Sequence, residues 1–409
     1  MTVATELIPV AEAQRRLFQL IASRTTGEEL IPLSESLGRV LARPVSTLWA
    51  IPGCDNSAMD GYAVLAADCS GASPTRPVRL AASGEARTGA PIAALELGTA
   101  LAIATGGPIP RGADAVVPIE DTQPGDRGTV LVLQAPRPGD HVRRAGGDAP
   151  PGTVMVPAGR RLRPVDIAAC AAAGAASVRV HRRPVVALMS GGDELIPVGS
   201  VPAPHQVVNS NAPMLAAAVA EAGGEVVDLG IAADSREAVR ERLAAAAGCD
   251  LVLTSAGVSV GRHDHVREVV AELGGIDAWR LAMRPGKPLL IGRVGDLPLI
   301  GLPGNPASAA VTFELFGRPA LLSLQGASDP RRHRIAVRLG ELVEAPRSLE
   351  TYLRIRLSDA PDGIPVASLS GGQTSSMLRS LTDAEGLLVV PAGVARVEAG
   401  QLLTALDLR

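Results

Sequence analysis

The chain has few aromatic residues and no excess of charge of one sign. Seven of its 409 residues are Phe, Trp or Tyr, and its formal net charge is −3. A protein that binds nucleic acid usually presents a basic face and aromatic side chains on which bases stack. The sequence therefore argues against nucleic-acid binding and predicts cores built from aliphatic side chains.

Cysteine and long apolar runs are also scarce. Cys54, Cys69, Cys170 and Cys249 lie far apart without a CxxC pair, a pattern that argues against a disulfide framework or zinc knuckle and favours a reducing compartment. The longest Ala-rich stretch, which begins at Ile167, is shorter than the roughly 20 residues that a membrane-spanning helix needs. The N-terminal residues are typical of an amphipathic helix rather than a signal peptide. We therefore expect a soluble, cytoplasmic protein that does not bind membranes.

Residues 181–326 alternate apolar runs with helical patterns. Strand-like runs begin at Val185, Glu225 and Asp250, and LLIGRV and PLIGLPG follow them. Ser235 and Asn305 are predicted helix N-caps, the latter with Pro306 at the first helical position. This order predicts a mostly parallel sheet covered by helices on both faces, with ligands bound beyond the carboxyl ends of its strands.

The remaining segments predict further units, because 409 residues are too many for one hydrophobic core. Residues 7–48 look helical, whereas 49–140 are broken by Gly and Pro and predict a small β-rich module. Residues 141–180 predict a short strand and then a helix. Residues 327–409 alternate short strands with turns, which indicates a small β-barrel or sandwich. The predicted fold class is multidomain, α/β plus β.

The stretch TSAGVSVG at residues 254–261 follows a predicted buried strand and precedes a helix. Glycines such as Gly257 let backbone amides approach a ligand, and the helix start carries partial positive charge. Ser255 and Ser259 add hydroxyl donors, so the loop suits a phosphate or another oxyanion. The alternative is an ordinary strand-to-helix turn in which Asp264 caps the helix. The loop alone does not decide between them.

Three other stretches favour an anion site. GLPGNPAS at 301–308 again runs from a strand to a helix start, and RPGKP at 284–288 places Arg284 and Lys287 beside a Pro-Gly turn. Together at one sheet edge they could hold a multiply charged anion. Glu194, in GGDEL, could hold Mg²⁺ through water. The alternatives are helix capping, a solvated turn and an acidic pair at a helix start. The six histidines show no metal-binding spacing.

Seven stretches, in one order, make the chain resemble the molybdopterin molybdenumtransferase family, which includes the E domain of gephyrin. They are DNSAMDGYA at 55–63, TGGPIPRGADAVVPIE at 105–120, VRRAGGD at 142–148, GGDEL at 191–195, TSAGVSVG at 254–261, RPGKP at 284–288 and GLPGNPAS at 301–308. Each stretch by itself is also compatible with an ordinary loop or turn that binds no ligand. The resemblance runs from about residue 7 to the C-terminus and depends on all seven.

The resemblance implies an elongated homodimer with four domains in each chain. Residues 7–48 and 141–180 would form a discontinuous first domain, with the β-rich module of 49–140 inserted in it. Residues 181–326 would be the molybdopterin-binding α/β domain, and 327–409 the C-terminal β-barrel. Sites of the family form between chains, so the inserted module would complete the pocket of the partner.

The implied reaction inserts molybdenum from molybdate into molybdopterin. Its substrate is adenylylated molybdopterin, made upstream by a molybdopterin adenylyltransferase, and the link to AMP is cleaved with the help of Mg²⁺. The implied catalytic residues are Asp60, Thr105, Asp148, Glu194, Asp234 and Asp264, of which Glu194 and Asp264 are the candidates for holding Mg²⁺. The implied substrate- and anion-binding residues are Ser255, Gly257, Ser259, Arg280, Arg284, Lys287, Pro303, Asn305, Pro306, Arg354 and Ser375.

The chain departs from the family pattern at four positions. Ala256 replaces a glycine of TSGGVS, and its methyl group is tolerable only if this position does not need a positive φ. Arg262 stands where the family often has an acidic residue. Arg280 and Arg284 stand in place of common lysines, which keeps the charge but changes the hydrogen-bond geometry.

Three other functions compete with molybdenum insertion. An adenylyltransferase that makes the substrate shares the α/β domain, but it would be a single short domain that uses ATP. A binding scaffold, a role that gephyrin also serves, would carry an extra domain and a long disordered linker. A competence-type nucleotide hydrolase shares the α/β unit, but its other half is not recognisable here. The flanking domains favour the molybdenum-inserting enzyme.

Overall fold

The computed structural model describes residues 7–258 and 264–409. A six-stranded sheet forms the centre of the α/β domain, with the spatial order Glu225–Ala232, Val185–Gly191, Leu251–Ser255, Leu297–Leu302, Leu290–Val294 and Gly274–Trp279. The first four strands are parallel, and the last two are antiparallel to their neighbours. The predicted mostly parallel sheet is confirmed. Ser259 and Arg262 lie outside the described residues.

Helices cover both faces of this sheet. Leu188, Leu253 and Ile300 belong to one core cluster, whereas their strand neighbours Val252 and Leu299 belong to another. This alternation explains why the strands are apolar throughout. The helices are Asn211–Glu221, Arg236–Ala244, His265–Leu273, Pro306–Thr312 and Arg318–Leu324, with a π-helical turn at Phe313–Gly317 before the last.

Two predicted helix starts are confirmed. The Ser235 side chain accepts a hydrogen bond from the backbone N–H of Ala238 at 3.2 Å. Asn305 occupies the N-cap position of the helix Pro306–Thr312, and Pro306 is its first residue. The Asn305 side chain makes no capping bond, which leaves its amide available for other contacts.

The helical prediction for residues 7–48 holds only for Val10–Ile21. This helix packs Val10, Ala13 and Leu17 against the core of the α/β domain. The rest of the segment contains the strands Glu28–Pro32 and Val45–Ser46 and the 3-10 turn Leu33–Glu35, so that part of the helical prediction was wrong. The local sequence did not reveal the strand Glu28–Pro32 because its antiparallel partner, Ser177–His181, lies far along the chain.

Residues 141–180 contain the strands Val142–Arg143 and Val154–Val156 and the helix Pro164–Ala172, followed by the strand Ser177–His181. Val154–Val156 pairs with Val45–Ser46. The two segments that flank the inserted module therefore pair with each other through two pairs of strands.

The inserted module is β-rich, as predicted. Its six-stranded sheet has the order Ala115–Pro118, Gly61–Val64, Thr99–Ile103, Val78–Ala86, Thr129–Val132 and Thr122–Pro124. A further strand, Asn56–Ser57, pairs with Val142–Arg143 outside the module. Short 3-10 turns lie at Ala66–Cys69 and Ile119–Asp121.

The C-terminal segment forms the expected β-barrel. Its strands are Arg334–Leu339, Glu350–Ser358, Val366–Leu369, Gly386–Val390 and Leu402–Asp407. The barrel closes because Glu350–Ser358 pairs with both Val366–Leu369 and Gly386–Val390. The short strands Val343–Glu344 and Arg396–Val397 and the helix Arg379–Thr382 complete the segment.

One strand of the α/β domain reaches the barrel. Met283–Arg284 pairs in parallel with Glu350 and Thr351, so the RPGKP turn is attached to the barrel wall. Across residues 7–258 and 264–409, no helix is both long enough and apolar enough to cross a membrane.

The backbone after the strand Leu251–Ser255 is strained. Ala256 and Gly257 adopt φ angles of 79° and 74°. At Gly257 a Cβ would lie 2.5 Å from Cγ2 of Val266, so only glycine fits. Ala256 carries a Cβ in the left-handed region, which costs an L-residue roughly 1–2 kcal/mol. The position of the family's glycine thus does use a positive φ in this chain.

We expect Ala256→Gly to raise the free energy of unfolding by about 0.5–1 kcal/mol. Relief of the left-handed strain, about 1–2 kcal/mol, outweighs the extra backbone entropy that glycine loses on folding, about 0.5–1 kcal/mol. Urea-unfolding midpoints measure the change. Ala217→Gly, on an exposed position of the helix Asn211–Glu221, is the control and should destabilise by about 1 kcal/mol. A loss of stability in both variants would contradict the assignment of strain.

Candidate functional site

A cavity of 570 Å³ lies at the carboxyl ends of the parallel strands. The loops that contain GGDEL, TSAGVSVG and GLPGNPAS all contribute to its wall. Predicted site residues that line it are Glu194, Ser255, Gly257, Asp264, Pro303, Asn305 and Pro306. The sheet brings these loops together because parallel strands place their carboxyl ends at one edge.

A second cavity, of 380 Å³, adjoins the first and shares Pro288, Pro303 and Asn305 with it. Its wall includes the whole RPGKP turn and, from the barrel, Ser375. Arg284 and Lys287 are exposed there, and Lys287 is the only lysine in the chain. The predicted cations therefore lie next to the cavity at the strand ends.

Asn305 joins the two domains at this boundary. Its Nδ2 donates a hydrogen bond to Oγ of Ser375 at 3.1 Å. The backbone N–H of Ala307 donates to the carbonyl of Ser375 at 3.1 Å. These bonds hold the GLPGNPAS loop against the barrel and bring the predicted residue Ser375 to the site.

Arg354 lies behind this wall and lines neither cavity. It is fully buried in the barrel, where its Nη2 donates to the carbonyls of Gly372 and Thr374 at 2.9 and 3.1 Å and its Nε donates to Oγ of Ser380 at 3.0 Å. Its Nη1 has no hydrogen-bond partner within the described structure. Burial, and then the neighbouring Arg284, lower the pKa of Arg354. Arg354 thus supports the wall from behind and adds positive charge.

Sequence reasoning missed Asn211, which lines the first cavity. Its Nδ2 donates to Oγ of Ser255 at 2.8 Å and to the carbonyl of Gly304 at 2.7 Å. One buried amide therefore links the loops after two neighbouring strands. In the sequence, the polar stretch NSN at residues 209–211, between an apolar run and an apolar helix, could have pointed to Asn211.

Asp264 occupies the N-cap position of the helix His265–Leu273, but its side chain makes no capping hydrogen bond. The capping alternative considered for this carboxylate is therefore not realised. Trp279 supports the same loop, because its Nε1 donates to the carbonyl of Val258 at 2.8 Å. Arg280 packs over the Trp279 ring, 5.7 Å from its centroid, and lines neither cavity.

Asp234 also lies outside both cavity walls. Its backbone N–H donates to Oδ1 of Asp193 at 3.0 Å, and the backbone N–H of Asp193 donates back to Oδ2 of Asp234 at 3.4 Å. Asp234 thus contacts the GGDEL loop next to Glu194. The structure gives it a role in holding that loop.

The other three predicted catalytic residues lie away from the cavities, Asp60 and Thr105 in the inserted module and Asp148 in the motif VRRAGGD just after it; we name these three residues the module cluster. Oδ1 of Asp60 accepts hydrogen bonds from the backbone N–H of Thr105 at 2.6 Å and from its hydroxyl at 2.9 Å, and both lower the pKa of Asp60. All three side chains are exposed, and none lines either cavity.

Backbone pairing draws the three module motifs together. The strand Asn56–Ser57 of DNSAMDGYA pairs with Val142–Arg143 of VRRAGGD. The backbone N–H of Ser57 donates to the carbonyl of Gly107 in the second motif at 2.9 Å. In one chain, the seven motifs therefore form two groups, one at the inserted module and one at the cavities.

Family models match the chain along most of its length. Residues 8–174 match the MoeA N-terminal region (domain I and II), residues 187–323 match a probable molybdopterin binding domain, and residues 336–408 match the MoeA C-terminal region (domain IV). The order of these three matches is that of the units described above.

Individual proteins are similar over the full length. Molybdopterin molybdenumtransferase 2 of Mycobacterium tuberculosis is 39% identical over 410 residues, which cover 98% of this chain and 99% of that protein. The molybdopterin molybdenumtransferase of Nostoc sp. is 36% identical over 414 residues, 99% of this chain and 94% of that one. A crystal structure of the molybdopterin biosynthesis moeA protein from Pyrococcus horikoshii OT3 has a TM-score of 0.84 at 27% identity and covers 98% and 100% of the two chains. The chain belongs to the molybdopterin molybdenumtransferase family.

Proposed function

We propose that this chain inserts molybdenum from molybdate into adenylylated molybdopterin in the cytoplasm, with release of AMP and with the assistance of Mg²⁺. Family membership makes the chain a transferase of molybdenum cofactor biosynthesis. The observation that carries the finer proposal is the pair of adjoining cavities, which share Pro303 and Asn305. Two adjoining sites suit a reaction in which two anions must meet.

The first cavity suits the phosphates of the substrate. Ser255 offers a hydroxyl, and the loop around Gly257 leads to the start of the helix His265–Leu273, where partial positive charge favours anions. A helix start and a hydroxyl together provide donors for phosphate oxygens. Donors fixed before the ligand arrives also stabilise the charge that develops as the phosphoanhydride bond to AMP breaks.

Glu194 and Asp264, which line the same cavity, would hold Mg²⁺. Carboxylate oxygens suit this ion, which usually keeps several waters and takes other ligands from the phosphates of a substrate. Within the described residues, no group of three His, Cys, Asp or Glu side chains could hold a metal ion by itself. The ion would therefore bind together with the substrate and neutralise phosphate charge during cleavage.

The second cavity suits molybdate, a tetrahedral dianion. Arg284 and Lys287 provide positive charge, and Ser375 provides a hydroxyl. The buried Arg354 adds charge from behind the wall. These groups would hold molybdate beside the substrate against the repulsion between the two anions.

The two groups of motifs suit a homodimer with shared sites. Asp60, Thr105 and Asp148 lie outside both cavities of their own chain, yet they match catalytic positions of the family. We infer that the module cluster completes the cavity of the partner chain. A molybdopterin adenylyltransferase would supply the substrate.

The test is incubation of the purified chain with adenylylated molybdopterin, molybdate and Mg²⁺, with AMP measured by chromatography. AMP release should depend on molybdate and should fall when Mg²⁺ is chelated. AMP release at the same rate without molybdate would contradict molybdenum insertion, and formation of adenylylated molybdopterin from ATP would favour the adenylyltransferase.

We expect Asp264→Ala to keep the fold and to slow AMP release by at least about tenfold, since a contact to a charged group contributes about 1.5–3 kcal/mol. Ser235→Ala, which removes a real cap, is the matched control and should lose about 0.5–2 kcal/mol of stability but keep its activity. A destabilised Asp264→Ala variant with full AMP release would show that the carboxylate is structural.

Mixing Asp60→Ala chains with Asp264→Ala chains should restore AMP release to about a quarter of the wild-type level. Random exchange makes half of the dimers mixed, and each mixed dimer has one pocket with both residues intact. A mixture of Glu194→Ala with Asp264→Ala is the control and should recover nothing, because both residues line the same cavity of one chain. Equal results for the two mixtures after subunit exchange would mean that sites are not shared.

Lys287→Ala should raise the molybdate concentration for half-maximal AMP release by roughly 10- to 100-fold, because a charged contact to an oxyanion is lost. The defect should grow with ionic strength as the remaining attraction is screened. Lys287→Arg keeps the charge and should restore most of the affinity. Titrations of molybdate at two salt concentrations provide the measurement, and superimposable wild-type and Lys287→Ala curves would exclude an anion site at the RPGKP turn.

A further inference from the structure

The asparagine that links the two strand-end loops is Asn211. It begins the helix Asn211–Glu221 and is 8% exposed. Its Nδ2 lies 2.8 Å from Oγ of Ser255 and 2.7 Å from the carbonyl oxygen of Gly304. The carbonyl of Gly304 can only accept a hydrogen bond, so the NH₂ group of Asn211, not its oxygen, must face it. The orientation of the amide is therefore fixed by chemistry.

This orientation determines what the Ser255 hydroxyl can do. The same NH₂ group reaches Oγ of Ser255, so Ser255 accepts a hydrogen bond from Asn211 and its own proton must be donated elsewhere. Ser255 is itself buried, and no other described side chain or backbone group accepts that proton. Ser255 lines the cavity, and the natural acceptor is an oxyanion bound there.

The orientation of the Asn211 amide also determines the surroundings of its oxygen. Oδ1 of Asn211 is buried and has no hydrogen-bond partner in the described structure. A buried acceptor without a partner is unfavourable. The amide keeps its orientation nevertheless, because rotation would set Oδ1 against the carbonyl of Gly304. The two donated bonds thus outweigh the unpaired oxygen.

We propose that Asn211 is a positioning residue that fixes the Ser255 hydroxyl as a hydrogen-bond donor to a substrate phosphate and holds the Gly304 loop against it. The inference rests on the proposed function, since it requires a phosphate in the first cavity. Asn211 acts through Ser255, and its own NH₂ group is fully used by the two protein acceptors.

Asn209 provides a matched control in the same wall. It also lines the cavity, but its Oδ1 accepts from the backbone N–H of Ala212 at 3.3 Å and from Oγ of Ser190 at 3.4 Å. It makes no hydrogen bond to Ser255. Asn209→Ala therefore removes an asparagine of equal size from this wall without altering the Ser255 hydroxyl.

The experiment is a double-mutant cycle on AMP binding by the full chain, measured by calorimetry in the presence of Mg²⁺. Asn211→Ala should weaken AMP binding about tenfold in the wild-type background and less than about twofold in the Ser255→Ala background, because the contact that it positions is already gone. Asn209→Ala should change the affinity by the same factor in both backgrounds. Thermal unfolding of each variant confirms that the fold is retained.

The outcomes separate this inference from the proposed function. Wild-type binding of AMP with equal effects of Asn211→Ala in both backgrounds would overturn the positioning role and leave the phosphate site intact. If Asn211→Ala unfolds the chain, Asn211→Leu, which fills the space of the amide but cannot donate a hydrogen bond, takes its place in the cycle with the same expected non-additivity. Failure of the wild-type chain to bind AMP would overturn both the phosphate site and the role of Asn211.

Discussion

A two-residue parallel pairing joins the α/β domain to the barrel beside the site. Met283–Arg284 leaves the α/β domain and pairs with Glu350 and Thr351 of the barrel, and the backbone N–H of Glu350 donates to the carbonyl of Ala282 at 2.9 Å. The RPGKP turn that follows, itself part of the α/β domain, is thereby held against the barrel wall. Asn305, bonded to Ser375, adds a second attachment nearby. Through these contacts, Ser375 of the barrel and the cationic turn of the α/β domain contribute to one cavity wall.

The site combines a rigid sheet edge with a strained loop. The strand Leu251–Ser255 is buried along its whole length, so the point at which its loop begins is fixed. Beyond it, Ala256 and Gly257 take left-handed conformations at the wall of the cavity, and the conformation of Ala256 is strained because it carries a Cβ. Strain of this kind persists only where the surroundings impose it, and it is often found at binding sites. The bond from Asn211 to Ser255 and the bond from Trp279 to Val258 hold the residues on either side of these two.

The features that the sequence predicted depend on neighbouring residues. The alternation of apolar runs and helices, the cap at Ser235 and the Asn305-Pro306 helix start are local patterns with local causes, and the structure has them. The strand Glu28–Pro32 escaped prediction because its partner lies about 150 residues away. Asn211 escaped for a similar reason, since its role depends on a backbone carbonyl, that of Gly304, which the fold brings to it. Arg354 was named as a site residue, but its buried hydrogen bonds to the carbonyls of Gly372 and Thr374 depend on the barrel fold and not on a local pattern. The local sequence pattern thus predicts the strands, helices and loops of the site. The hydrogen bonds that hold its side chains in place depend on tertiary contacts.

The single lysine has a practical meaning. Every other permanently charged cationic side chain of this protein is arginine, and Lys287 lies exposed at the wall of the second cavity. Amine-directed reagents would therefore label only this side chain and the N-terminal amine. Reductive methylation with ¹³C-formaldehyde would place one isotope label in the RPGKP turn, and its NMR signal could be assigned without a library of variants. The composition of the chain thus turns one cation of the site into a built-in spectroscopic reporter of anion binding.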